Sequence, residues 1–192
     1  GYNPFRGGYL AGFLAADGSN ISFTAQGVKS DGFSAAAAGT EDDGYRNLTF
    51  TGRGEYYLTP SAKIFFAARS VRARIEYDDN YPPPSFIIND SLAHGKYQQN
   101  AGRVGTEFTL LNGAFTNTLA IQGTTIEREY FETFGDSSLK GDRVKGEYKG
   151  VLKFNEKVSL LAGTDWEQTG AEKSVAPSIR NTADMASFYS QL

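Results

Sequence analysis

The chain has 192 residues, a formal net charge of −3, 14 Phe, 11 Tyr, 22 Gly, one His and no Cys. The mild acidity offers no basic footprint for nucleic acid, and the lack of thiols excludes a disulfide scaffold and a thiolate metal site. The lone His94 argues against multi-His zinc sites and most nucleophilic triads. No apolar run approaches the roughly 18–20 residues of a membrane helix, and no signal peptide begins at Gly1.

Period-two alternation, the signature of strands, recurs along the whole chain. Strands are predicted over 9–15 and 19–28, joined by the turn Asp17-Gly18-Ser19. In 47–58, Leu48, Phe50, Gly52, Gly54, Tyr56 and Leu58 share one face, opposite Asn47, Thr49, Thr51, Arg53, Glu55 and Tyr57. After Thr59-Pro60 comes a strand over 63–77, whose phase changes near Arg69 and suggests a bulge there. Strands over 102–111 and 115–125 flank Asn112-Gly113. In 143–154, Val144, Gly146, Tyr148, Gly150, Leu152 and Phe154 oppose Arg143, Lys145, Glu147, Lys149, Val151 and Lys153. Beyond Asn155-Glu156, Val158, Leu160, Ala162, Thr164 and Trp166 oppose Ser159, Asp165 and Glu167, and a last strand covers 183–192.

The reading is therefore all-β, with about nine strands, several of them about ten residues or longer, beyond the usual five or six. Membrane strands need about nine to eleven. Short turns alternate with long polar links at about 29–44, 78–100, 133–142 and 168–181. Short inner turns and long outer loops are the arrangement of antiparallel transmembrane β-barrels, so the long links are expected to face outward. A soluble β-sandwich with one wet face is the competing fold. Bacterial single-chain barrels use even strand numbers, and Leu192 falls inside an alternating run. Both lead to the expectation that residues 1–192 are a segment of a larger barrel. A complete eight-stranded barrel with an extra segment is the alternative.

The acidic loops are the candidate metal site. Asp31 opens the first long link and Glu41-Asp42-Asp43-Gly44 closes it; Asp78 and Asp79 open the second, with Asp90 inside it. Clustered oxygen ligands suit Ca²⁺, which takes six to eight; ordinary solvated acidic loops are the alternative. Tyr77, Tyr81 and Phe86, around Pro82-Pro83-Pro84, form a candidate ligand-binding surface, or else an aromatic girdle or a self-packed loop. Arg69, Arg72, Arg74, Arg103, Arg143, Lys145 and Lys149 are candidates for an anionic ligand or for phosphate groups. The plainer expectation for them is ion pairing with Glu55, Glu107, Glu127 and Glu147. No catalytic centre is predicted, because a nucleophile needs a nearby base and His94 has no recognisable partner.

The segments KSDGFSAA (29–36), TEDDGYRN (40–47), ARIEYDDNY (73–81), KVSLLAGTDWEQT (157–169) and NTADMASFYSQL (181–192) resemble TonB-dependent outer-membrane receptors. Among these the resemblance is to the vitamin B12 (cobalamin) transporter subfamily, and it runs from about Ile21 to Leu192. It implies a 22-stranded barrel closed by an N-terminal plug, of which this chain is a wall segment without the plug. It further implies a Gram-negative outer-membrane location and active uptake of a scarce nutrient such as cobalamin or a ferric siderophore. The implied partners are outer-membrane lipid, lipopolysaccharide and TonB, the last through the plug. By motif position it assigns calcium to Asp31, Glu41, Asp43, Asp78 and Asp90, with Glu41 departing from the family's Asp. A passive porin or structural barrel is the alternative function.

Overall fold

The computed structural model describes residues 3–36, 39–40, 42–80, 84–85, 87–174 and 178–192. The strands are β1 (Phe5–Leu14), β2 (Asn20–Ser30), β3 (Tyr45–Thr59), β4 (Ala62–Glu76), β5 (Asp79–Asn80), β6 (Ile88–Asn89), β7 (His94–Leu110), β8 (Phe115–Phe131), β9 (Ser137–Lys153), β10 (Ser159–Lys173) and β11 (Ile179–Gln191). Nine of them form one antiparallel sheet in the order β1-β2-β3-β4-β7-β8-β9-β10-β11, and β5 and β6 form a small ribbon inside the second long link. The described residues contain no α-helix, only a 3₁₀ turn at Leu111–Gly113.

Antiparallel order sends every second link to the same end of the sheet. The tight turns share one end, and local chemistry is visible at three of them. Gly18 takes φ +89° and Asp17 Oδ1 accepts the Ser19 N–H at 2.8 Å. Leu111, Asn112 and Gly113 have φ of 53°, 54° and 94°. Asn155 Oδ1 accepts the N–H groups of Lys157 and Val158 at 2.9 and 3.0 Å, an Asx turn. The long links share the opposite end, called the loop end below.

Register sorts the side chains onto two faces. One row crosses all nine strands as Phe13, Ile21, Gly54, Phe66, Val104, Ile121, Gly146, Trp166 and Ala186. This apolar face is uncovered: Val104, Ile121 and Trp166 are 53%, 54% and 47% exposed. The adjacent row on the other face reads Gly12, Ser22, Arg53, Ala67, Arg103, Gln122, Lys145, Glu167 and Met185. Ion pairs lace that face. Lys63 reaches Glu55 at 3.0 Å and Glu107 at 3.5 Å, Lys145 reaches Asp165 at 3.3 Å, Arg103 pairs with Glu147, and Arg143 pairs with Glu167. Of the basic residues singled out above, Arg103 thus pairs with an acid expected for it, and Arg143 and Lys145 pair with other acids. Among the described residues Val71 and Ala93 are the only buried hydrophobics, so the sheet is a single layer without an interior core.

Two expectations need correction. The strands run further toward the loop end than alternation indicated. β7 starts at His94, β8 reaches Phe131, β9 starts at Ser137 and β10 reaches Lys173. In these extensions both faces carry polar groups, so the strand has no apolar side for a period-two pattern to mark. The phase change at Arg69 is likewise not a bulge. Pairing of β4 with β3 and with β7 continues through Arg69, and the shift in register lies between Tyr57 and Thr59. Ile64, Phe66 and Ala68 share their face with Ser70, Arg72 and Arg74. The face passes from apolar to charged without any break in the ladder.

Ser19 is 7% exposed, and its Oγ accepts the Tyr57 N–H at 3.0 Å. Ser19→Ala is expected to destabilise the fold by about 1 kcal/mol, the cost of orphaning one buried donor. A denaturant titration should show this as a lowered midpoint at unchanged slope.

Candidate functional site

The loop end gathers most of the acids singled out above. Asp78, just past β4, ties the two long links together. Its Oδ2 accepts from Ser34 Oγ at 3.0 Å and from the Ala36 N–H at 2.6 Å, and its Oδ1 accepts the Ser91 N–H at 3.2 Å. Asp90 Oδ2 accepts both the N–H and the hydroxyl of Thr40, at 3.0 and 3.1 Å. Asp43 Oδ2 accepts the Ala35 N–H at 3.0 Å. Asp78 and Asp90 thus satisfy donors of the other link, and Asp43 satisfies one within its own, that a loop backbone would otherwise leave unpaired.

This arrangement crowds negative charge. Burial raises the Asp43 carboxyl above its ordinary 3.8, and the charges of Asp78, Asp90 and Glu76 raise it further against the lowering effect of the Ala35 bond. Asp31 is held differently. Its Oδ1 lies 2.8 Å from Lys29 Nζ and its Oδ2 accepts from Asn3 Nδ2 at 3.2 Å. The hydrogen bond from Lys29, followed by that from Asn3, lowers its pKa below 3.8. The structure therefore brings Asp43, Asp78 and Asp90 into one electrostatic neighbourhood and directs the Asp31 carboxylate elsewhere. Among the described residues no three His, Asp or Glu side chains converge at metal-ligating distance. Glu41 lies outside the described residues.

Of the aromatic candidates, Tyr77 donates its hydroxyl to Glu132 Oε1 at 3.1 Å. Burial, then the bond to Glu132, pushes the phenol well above its usual value, so it remains a neutral donor. Asp79 Oδ2 accepts the Thr133 N–H at 2.7 Å, which makes a second link from the end of β4 to the loop after β8. Tyr81 and Phe86 lie outside the described residues. His94 stacks on Phe131 with ring centroids 4.6 Å apart, and its Nδ1 lies 3.2 Å from the Leu92 carbonyl.

Reading the acids alone missed their donors: Ser34, Thr40, Ser91, Thr133 and the amide of Ala36. Nothing in their local sequence marks them, because small polar residues are common in every loop. The glycine at 32 is a clearer signal. Gly32 has φ +75°, and a Cβ there would stand 1.9 Å from the Asp43 carbonyl oxygen. Only glycine admits both the conformation and the approach. No protein-family model matches the chain, and no curated protein matches it.

Two outcomes follow from this geometry. Gly32→Ala should open the junction and raise amide exchange at Ala35, Ala36 and Ser91, while the strand amides of β8 and β9 stay protected. Asp43→Asn keeps an acceptor for Ala35 and removes one charge. The Asp43 pKa is higher folded than unfolded, so its ionisation opposes folding, and stability from this site grows as pH falls through the raised value. The Asn variant should therefore show higher protection at Ala36 and Thr40 at neutral pH, with a weaker dependence on acidification. Lower protection at neutral pH would contradict the repulsion argument.

Proposed function

We propose that residues 1–192 are a wall segment of an antiparallel transmembrane β-barrel in a Gram-negative outer membrane, belonging to a TonB-dependent receptor for a scarce nutrient. The observation that carries the membrane reading is the uncovered apolar face. Its apolar stretch runs about nine residues per strand, roughly 30 Å of extended chain, and barrel tilt brings that near the 25 Å height of an outer-membrane apolar band. Contiguous exposed apolar surface on this scale needs a partner. Lipid is the partner that accepts a whole sheet face while the backbone groups stay paired within the ladder.

The opposite face supports a polar lumen. Its charges are paired across strands, as expected where a barrel encloses water or a plug. The transport reading rests on the resemblance of the loop and strand segments to TonB-dependent receptors. In that reading the loop end faces outward, and the nutrient, cobalamin or a ferric siderophore, is captured there with Tyr77, Tyr81 and Phe86 as contact residues. TonB engages the plug.

Calcium in the outer loops belongs to the same proposal. Asp43, Asp78 and Asp90 supply hard oxygen ligands, the type Ca²⁺ takes, and the mutual repulsion at Asp43 is what a bound cation would relieve. Asp31 and Glu41 complete the set that the resemblance implies. The cation would order the two long links against each other.

Trp166, the only tryptophan, lies at the midpoint of β10 and belongs to the apolar row. Reconstituted into bilayers, its fluorescence should be strongly quenched by lipids brominated along the acyl chains. Unquenched emission, or a protein that stays monomeric without detergent, would favour the soluble β-sandwich. For the transport reading, uptake of labelled nutrient by cells should cease when the inner membrane is de-energised. Unchanged uptake would instead indicate a passive pore.

A further inference from the structure

The apolar face changes character toward the loop end. Arg46, Arg74 and Lys96 are direct cross-strand partners on β3, β4 and β7. Arg72 stands one row closer to the apolar region, between Leu48 and Gln98. With Glu127 and Glu129 on β8, these residues line an open groove of about 370 Å³. Like charges placed directly opposite in a sheet repel, and the chain offsets them only in part. Arg74 pairs with Glu76 at 3.0 Å, and Glu127 is engaged by Lys140 at 2.8 Å. Lys96 lies over the Phe131 ring, 4.4 Å from its centroid. Arg46 and Arg72 are exposed and form no ion pair among the described residues.

Directly below the cations, on the same face, an apolar groove of about 460 Å³ begins, lined by Tyr9, Phe23, Phe50 and Phe66 among others. Leu48 and Arg72 form one cross-strand pair, and Phe50 and Ser70 form the next on that face. A cationic groove thus opens onto an apolar one within a single step of the register. A soluble phosphate ester would use only the first and a neutral lipid only the second. A molecule with phosphates at one end and acyl chains at the other fits both.

We propose that this face holds a specific phosphorylated lipid. Its headgroup phosphate sits among Arg46, Arg72, Arg74 and Lys96, and an acyl chain lies along Tyr9, Phe23, Phe50 and Phe66. Guanidinium groups suit this role because their fork of donors matches phosphate oxygens. Glu127 and Glu129 close the β8 side of the groove and limit how many phosphates enter. The inference rests on the membrane reading of the apolar face and adds a headgroup site to it.

The test uses the complete protein in neutral detergent micelles and measures retention of diphosphoryl lipid A by native mass spectrometry. The comparators are fully dephosphorylated lipid A and competing inorganic phosphate. Diphosphoryl lipid A should be retained. Its affinity should fall about tenfold or more on dephosphorylation and in the variant R72Q/K96Q, the scale of one lost charge-assisted bond. R46Q/R72Q provides a second variant if the first does not fold, as judged by far-ultraviolet circular dichroism. Lys153→Gln, on the other face at the turn end, should leave binding unchanged. Millimolar inorganic phosphate should not displace the lipid, because it gains nothing from the apolar groove. Equal retention of dephosphorylated lipid A, unchanged binding in a folded double variant, or full displacement by inorganic phosphate would each overturn the site. If any of these occurs while Trp166 is still quenched by brominated lipid, the headgroup inference alone fails. Loss of that quenching defeats the membrane reading and this inference together.

Discussion

A β-strand carries its N–H and C=O groups in the plane of the sheet, and in an antiparallel meander almost all of them are satisfied by the two neighbouring strands. What the ladder leaves open is the medium that each face meets. In this chain that question governs the rest of the structure, because apart from the β5–β6 ribbon there is one nine-stranded sheet, and among the described residues no second layer packs on it. Only Val71 and Ala93 among the described residues are buried hydrophobics. The free energy that a globular domain draws from an interior core must here come from whatever covers the row of Phe66, Val104, Ile121 and Trp166. The ion-paired face removes the alternative in which the sheet folds over to bury its other side. Lys63, Arg103, Arg143 and Lys145 with their acids could not be buried against a second layer without a large desolvation cost.

The loop end obeys a different constraint. Long links need acceptors for their backbone amides, and Asp78, Asp90 and Asp43 supply them to Ala36, Ser91, Thr40 and Ala35. Carboxylates are strong acceptors, but gathering them raises the energy of each, and the raised pKa of Asp43 records that conflict. Asp31 stays outside it because Lys29 and Asn3 stabilise its charge. The same end of the apolar face has the opposite imbalance, with Arg46, Arg74 and Lys96 in one row. Two patches of unlike charge therefore flank the loop end, one made by the loops and one by the strands beneath them.

Strand existence was legible in the chain because apolar and polar residues alternate wherever the two faces meet different surroundings. All nine sheet strands could be placed in this way, but the loop-end parts of β7, β8, β9 and β10 could not. From Ser70 to Arg74 on β4 the apolar face turns polar and the alternation changes phase, and from Gln98 back to Lys96 on β7 it vanishes, while the hydrogen-bond ladder continues. The supposed bulge at Arg69 has the same origin. For the loop site, acid clustering pointed to Asp31, Glu41, Asp43, Asp78 and Asp90, of which Asp43, Asp78 and Asp90 share one neighbourhood and Asp31 is held by Lys29. The partners of Asp78 and Asp90 in the first link depend on how the two links meet, as in the bond from Ser34 to Asp78. No local pattern encodes such a meeting.

The sequence by itself determined which residues share a face, since successive side chains in a strand must point to opposite sides. It also determined which links are tight, through Asp17-Gly18-Ser19, Asn112-Gly113 and Asn155-Glu156. Only the tertiary structure decided which residues stand opposite one another. Register is set by turn geometry and by pairing summed along whole strands, so a single-residue slip would have put Arg74 opposite a different neighbour on each side. The juxtaposition of Arg46, Arg74 and Lys96 above Phe50 and Phe66, and the meeting of Asp43 with Asp78 and Asp90, are products of that register. They join residues remote along the chain, whose proximity becomes visible once the ladder is aligned.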